Sequence, residues 1–271
     1  MSSLSKILTI FVIVVIILFL IGLGGFWYTP ESLPPHPGET PPFSYAALSD
    51  ELAQPIHNYL NATVGDSLPV IETAVVWGTA RFKLPGLLPI WMPVRWSAYY
   101  IPGKEFLREM EITWYGLTFL QGKDSYINGT GKLIIGEDVT SGPEIDQGQV
   151  LALRGETAFM PSNFALDTSI TWRTVDDTTM WMVFPFNETS DSLQITFNPQ
   201  THLIENFTAQ RYKETDEMSG WWIECLEWQT FHSIKIPSEF SVTWEDEGTP
   251  WAYFTIEGVE YNVDISDVLS E

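Results

Sequence analysis

Between Phe106 and Trp114 the chain alternates: Met110, Ile112 and Trp114 are apolar, and Glu109, Glu111 and Thr113 between them are polar. A period of two marks a strand with one buried and one wet face, whereas the apolar residues of a surface helix recur every three to four positions. Leu193, Ile195 and Phe197 interleave with Gln194 and Thr196 in the same way, as do Phe240, Val242 and Trp244 with Glu239, Ser241 and Thr243. Strands of this one-sided kind build antiparallel sheets. Further strands are expected over 70–83, 94–101, 117–127, 132–135, 170–175, 179–186, 203–212, 221–231 and 253–265. Asn128-Gly129 predicts a tight hairpin, because both residues tolerate the positive φ of a type I′ turn. In the last strand the apolar parity switches at Gly258, from Phe254 and Ile256 to Val259, Tyr261 and Val263, as a one-residue bulge requires.

Two helices are expected among the strands. One covers Ser49 to Leu60, with Pro55 inside it. The other runs from about Gly142 to Met160, opened by a capping box of Ser141 and Glu144 and ended by Pro161. At 100° per residue Ile145, Ala152, Glu156 and Phe159 share a stripe, so Glu156 points where apolar side chains point. The expected fold is mainly β (α+β): a curved antiparallel sheet or half-barrel with one or two packed helices, behind an N-terminal transmembrane helix.

That helix is read from Ile7 to Tyr28, 22 residues in which Thr9 is the one conventionally polar side chain, and roughly 20 apolar residues cross a bilayer. Lys6 precedes the run, while Glu31, Glu39, Asp50 and Glu51 follow it, so residues 1–6 are expected in the cytoplasm and the bulk outside. A cleaved signal peptide is the alternative. It has a shorter apolar core, about 7–15 residues, ending in small residues. The reading is therefore a single-pass signal anchor of the cell membrane over 7–28. Six prolines make 29–42 a semi-rigid stalk, and 43–271 forms one exterior domain in the cell envelope.

With 35 acidic residues against 13 basic and a net charge of −22, the surface is not built to neutralise phosphates, and nucleic acid is not an expected partner. The single cysteine, Cys225, forms no internal disulfide and supplies no Cys-rich metal site. No G-x-S-x-G, H-E-x-x-H, C-x-x-C or P-loop motif occurs. Neither cofactor nor metal is expected. The acidic turns Asp176-Asp177, Asp216-Glu217 and Glu245-Asp246-Glu247 read as solvated loops.

Three segments carry a resemblance: GPEIDQGQVLALRGETAFMPS (142–162), ITWRTVDDTTMWMVF (170–184) and YFTIEGVEYNVDI (253–265). In order and spacing they resemble two related prokaryotic families known only as domains of unknown function, over roughly residues 56–265. The resemblance implies a curved antiparallel sheet akin to the lipoprotein-carrier half-barrels, and no particular chemistry. Phe159-Met160-Pro161 departs slightly from the aromatic that often precedes this proline.

The densest charged group on one helix is Glu144, Asp146, Arg154 and Glu156. Glu156 and Asp146 are the candidate catalytic carboxylates, since two acids in different environments divide acid and base roles. The plainer reading makes Glu156 half of a buried ion pair, with Arg173 or Arg211 as its mate. Twelve tryptophans suggest an aromatic-lined groove, with Trp77, Trp96 and Trp114 as candidate ligand contacts beside Arg154, Arg173 and Arg211. An ordinary aromatic core is the alternative. Four sequons, at Asn61, Asn128, Asn187 and Asn206, are candidate glycosylation sites. The functional expectation is a non-catalytic module that binds a lipid, a sugar or a partner protein; an envelope enzyme of hydrolase type, built on the carboxylates around Glu156, is the competing one.

Overall fold

The structure, a computed structural model, describes residues 3–49, 51–84, 90–213 and 217–270. Asp216 of the second acidic turn lies outside these residues. Helix α1 (Ser3–Gly24) is followed by an extended segment and a two-stranded ribbon of β1 (Tyr45–Ala47) and β2 (Ser67–Pro69), with α2 (Gln54–Thr63) between them. A single 13-stranded antiparallel sheet forms the rest of the domain. One wing is a meander of β3 (Ala74–Lys83), β4 (Trp91–Ile101), β5 (Glu105–Trp114), β6 (Leu117–Ile127), β7 (Thr130–Ile135) and β8 (Asp138–Ser141). The other is a meander of β9 (Thr171–Thr174), β10 (Thr179–Phe186), β11 (Thr189–Phe197), β12 (Ile204–Tyr212), β13 (Met218–Phe231), β14 (Ile234–Trp244) and β15 (Pro250–Tyr261). The wings join where β15 pairs with β3, so β8 and β9 are the free edges.

Helix α3 (Pro143–Gly155), with a 3₁₀ turn over 156–159 and the short α4 (Asn163–Leu166), carries the chain from one free edge to the other. It is fastened to both wings by adjacent residues. Asp146 Oδ1 accepts the Gly131 N–H of β7 at 2.6 Å; Gln147 donates to the Gln210 carbonyl and accepts from the Tyr212 N–H, both on β12. A half-barrel closed across its open side by one helix results. For this reason α3 is buried all round from Gln147 onward rather than along one stripe, and most core residues lie on the concave side, among them Trp96, Tyr100, Phe106, Phe184 and Phe207.

The expected hairpin forms at Asn128-Gly129, with φ of 51° and 78°. The register shift between Ile256 and Gly258 is the expected bulge, and a Cβ at Gly258 would sit 2.2 Å from the Trp77 ring. Two helix expectations are corrected. Helix α2 begins at Gln54 rather than Ser49, since Pro55 occupies its first turn, where a missing N–H costs nothing. The Ser141–Glu144 capping box does not form: Ser141 remains in β8 and Gly142, with φ of 135°, is the N-cap without a side-chain bond.

The 22 residues of α1 give a length of about 33 Å, enough for a hydrocarbon core of roughly 30 Å, and its apolar side chains from Ile7 to Ile21 are exposed. Its last turn is gripped by the β5–β6 hairpin: Trp114 Nε1 donates to the Gly22 carbonyl at 2.8 Å, Tyr115 Oη to that of Ile21 at 2.5 Å, and the Tyr115 N–H to that of Gly25 at 3.0 Å. The proline-rich segment beyond it lies on the domain. His36 meets Tyr99 edge-on, Gly38 packs on Val263, and Thr40 bonds to Glu260 and the Tyr261 N–H.

Candidate functional site

Strand alternation sends Phe82, Met110, Ile112, Leu120 and Phe254 inward from β3, β5, β6 and β15, and Trp251 joins them from the register shift at the start of β15; together they form the apolar side of a cavity of about 330 Å³. Such a volume lies at the lower end of the roughly 300–1,000 Å³ typical of ligand pockets. The cavity's other side, against α3, is charged: Arg108 of β5, Asp124 of β6, Glu156 after α3 and Arg211 of β12 all line it. No Ser, Thr, Cys, His or Lys occurs among the described residues of the lining.

Within the charged side one ion pair is complete. Arg108 Nη2 lies 2.5 Å from Glu156 Oε1, and the buried Tyr100 hydroxyl donates to Glu156 Oε2 at 2.8 Å. Asp124 Oδ1 stands 3.8 Å from Arg108 Nε. Burial pushes the Glu156 carboxyl up, and the nearby Asp124 charge adds to this against the pull of Arg108 and Tyr100. Burial likewise raises Asp124 against Arg108 and Arg211. Two acids facing one guanidinium hold Arg108 firmly as a cation in spite of its burial.

Arg211 is held differently. Its guanidinium lies over the rings of Trp221 and Trp244, 4.7 and 5.8 Å from their centroids, and donates no hydrogen bond to any described residue. It reaches this place because residue 148 is glycine; a Cβ there would sit 3.0 Å from Arg211 Nε. Burial pulls its pKa down to about 10, which leaves a cation at neutral pH. Six buried polar atoms of the lining have no hydrogen-bond partner among the described residues: Arg108 Nε, Asp124 Oδ1, Gln149 Oε1, Arg211 Nε, Trp221 Nε1 and Trp251 Nε1. Each such atom costs about 1–3 kcal/mol while unpaired.

Of the residues singled out from sequence, Glu156 and Arg211 line this cavity. The mate of Glu156 is neither Arg173 nor Arg211 but Arg108; Arg173 is exposed on the edge strand β9. Asp146 ties α3 to β7, and Arg154 pairs with Asp167 at 2.5 Å with its guanidinium 5.0 Å from the Phe184 ring centroid, so both are fasteners outside the lining. Trp77 is on the convex face, against Gly258 in a small outer cluster. Trp96 is 1% exposed and donates to the Thr79 carbonyl within the core. Trp114 leaves the inward face because a bulge between Ile112 and Thr113 shifts the register, burying Thr113 instead. The tryptophans that do line the cavity are Trp221 and Trp251. Asn61, Asn128 and Asn187 are exposed, and Asn206 is half-buried on the outer side of β12.

The Arg154–Asp167 pair gives a pH test. Burial would raise the Asp167 carboxyl, but bonds from Ser169 and Arg154 outweigh it and hold the pKa below the ordinary value. A depressed carboxyl stabilises the fold above the unfolded pKa, about 3.9, and that contribution is lost as pH falls through the lower folded value. The difference in unfolding midpoint between the parent and Asp167→Asn is therefore expected to shrink between pH 5 and pH 2. A pH-independent difference in denaturation curves would remove Asp167 from the acid response.

No curated protein matches the sequence. Among solved structures, a LolA-superfamily protein from Nitrosomonas europaea superposes with a TM-score of 0.49 at 6% identity, over 80% of this chain and 96% of that one. A DUF1329-family protein from Desulfovibrio piger gives 0.45 at 9% identity, over 74% and 90%. An outer-membrane lipoprotein-sorting protein domain from Vibrio parahaemolyticus, itself described as putative, gives 0.43 at 8%, over 73% and 92%. The model of one family, a family of unknown function designated DUF6544, matches residues 41–256 and so takes in the half-barrel up to the middle of β15, its closing helix and every residue of the cavity, and it is to this family that the chain belongs.

Proposed function

We propose that the protein is a membrane-anchored binding module whose half-barrel holds the acyl chain of a lipid. The observation that carries this reading is the cavity itself: one side is a continuous apolar surface of Phe, Met, Ile, Leu and Trp side chains, which suits a hydrocarbon chain and offers a sugar few hydrogen bonds. A hydrolytic role is less well supported. Glu156 has both oxygens engaged, by Arg108 and Tyr100, and the described lining offers no nucleophile.

Helix α1 is read as the anchor, with the domain on the extracytoplasmic side, from its length, its apolar surface and Lys6 at its start. The cavity then lies close to the bilayer. Phe82 and Ile112 at the ends of β3 and β5, Ile135 at the end of β7 and Trp251 at the start of β15 share one end of the barrel with the Trp114–Leu117 hairpin that grips α1. Leu117 and Phe119 on that hairpin are 71% and 54% exposed, an apolar rim beside the end of the helix.

The test is the full chain purified from membranes in mild detergent, with native mass spectrometry of the protein and chromatography of extracted lipid. One bound lipid per chain is expected. Protein free of lipid that also fails to take up a fluorescent acyl probe would reject the reading. Protease added to intact spheroplasts is expected to digest the half-barrel; digestion only after lysis would reverse the orientation.

A further inference from the structure

We propose that the helix side of the cavity is a seat for the anionic head of an amphiphile, a carboxylate or phosphate monoester bound by Arg211 while its chain lies along the apolar side. This deepens the acyl-chain reading above and rests on it.

The cavity holds two arginines in unequal ways. Arg108 is neutralised by the protein, with Nη2 bonded to Glu156 at 2.5 Å and Asp124 3.8 Å from its Nε. Arg211 is kept in place by aromatic faces and by the gap at Gly148, contacts that fix a guanidinium without satisfying its N–H groups. A structural arginine of a folded core is normally hydrogen-bonded, because five donors taken out of water are costly to leave unmet. An arginine held rigidly with its donors unspent is instead prepared for an oxyanion, whose two oxygens match the planar fork.

With Arg211 Nε included, four of the six unpaired atoms of the lining are donors, the others being on Arg108, Trp221 and Trp251, and two are acceptors, on Asp124 and Gln149. A ligand rich in acceptors corrects that imbalance. A cationic head would find Glu156 already bonded to Arg108 and Tyr100 and Asp124 already 3.8 Å from the Arg108 charge, and would face the cation of Arg211. The order of surfaces also fits an amphiphile: charged residues lie against α3, and Met110, Ile112, Leu120 and Trp251 lie away from it on the sheet side.

The experiment uses the full chain in phosphatidylcholine nanodiscs and four compounds: cis-parinaric acid, its methyl ester, and a lysophosphatidic acid and a non-fluorescent fatty acid as competitors, each corrected for partition into empty discs. The acid is expected to bind at least tenfold tighter than the ester. Arg211→Met is expected to abolish that preference and leave the ester's affinity within about twofold, which also reports that the cavity is intact; Arg211→Lys is expected to restore part of it. If lysophosphatidic acid displaces the probe better than a free fatty acid does, the head is a phosphate, and in the reverse case a carboxylate; both support an anion seat. Equal binding of acid and ester by the parent, or a preference that survives in Arg211→Met, overturns the seat and leaves the acyl-chain reading standing. Failure of every probe, ester included, overturns the acyl-chain reading first.

Discussion

Glu156→Ala is expected to lower the free energy of unfolding by about 3–5 kcal/mol, the range found when one member of a buried ion pair is removed. The substitution strands two groups at once. Arg108 keeps only Asp124, 3.8 Å away, and the buried Tyr100 hydroxyl loses its acceptor. An apolar replacement that removed both charges would escape much of this, so the combination of Glu156→Leu with Arg108→Met is expected to be more stable than the sum of the single changes, by an interaction energy of about 1–3 kcal/mol. Denaturant unfolding of the full chain in mild detergent, followed by tryptophan fluorescence, measures all of these variants. A Glu156→Ala protein within about 0.5 kcal/mol of its parent would mean that the pair is not a structural unit.

The same ion pair shows how much of the site could be read from the sequence. Period-two alternation marks β5, β11, β14 and the bulge at Gly258, and the further expected segments fall on nine more of the fifteen strands among the described residues, because each follows from local residue order. The short strands β1, β2 and β8 lacked such a pattern, since they are three or four residues long; β1 and β2 pair with each other across some twenty intervening residues, and β8 folds back on β7 through a two-residue turn. Glu156 was found through the apolar stripe of its helix. Its mate was not, although the signal was present: Arg108 shares strand parity with Phe106 and Met110, Asp124 with Leu120 and Tyr126, and Arg211 with Phe207 and Ala209. A charge at an inward-facing strand position announces a buried partner or a ligand. Which charges meet is settled by the curvature of the sheet and by where α3 crosses it, and neither is a local property. Trp114 failed for a related reason, since a single bulge next to it turned an inward residue into one that holds the end of α1.

Ala152→Trp is expected to reduce acyl-probe binding by at least 100-fold and to leave the unfolding midpoint unchanged or raised. Ala152 is a buried residue of α3 that borders the cavity, between Gln149 and Glu156 on the same helix side. Adding bulk to a close-packed core costs about 1–3 kcal/mol through strain, but about 330 Å³ of space lies before this residue, and filling a cavity with apolar surface stabilises a fold. The two effects have opposite consequences for the two measurements. If the space is a packing defect, filling it changes stability alone. If it is the ligand site, the indole takes the place of the acyl chain, and binding is lost from a protein that remains folded. Probe titration and thermal unfolding of the same Ala152→Trp preparation decide between them: affinity kept at the parent's level would place the ligand outside the half-barrel, whatever the stability.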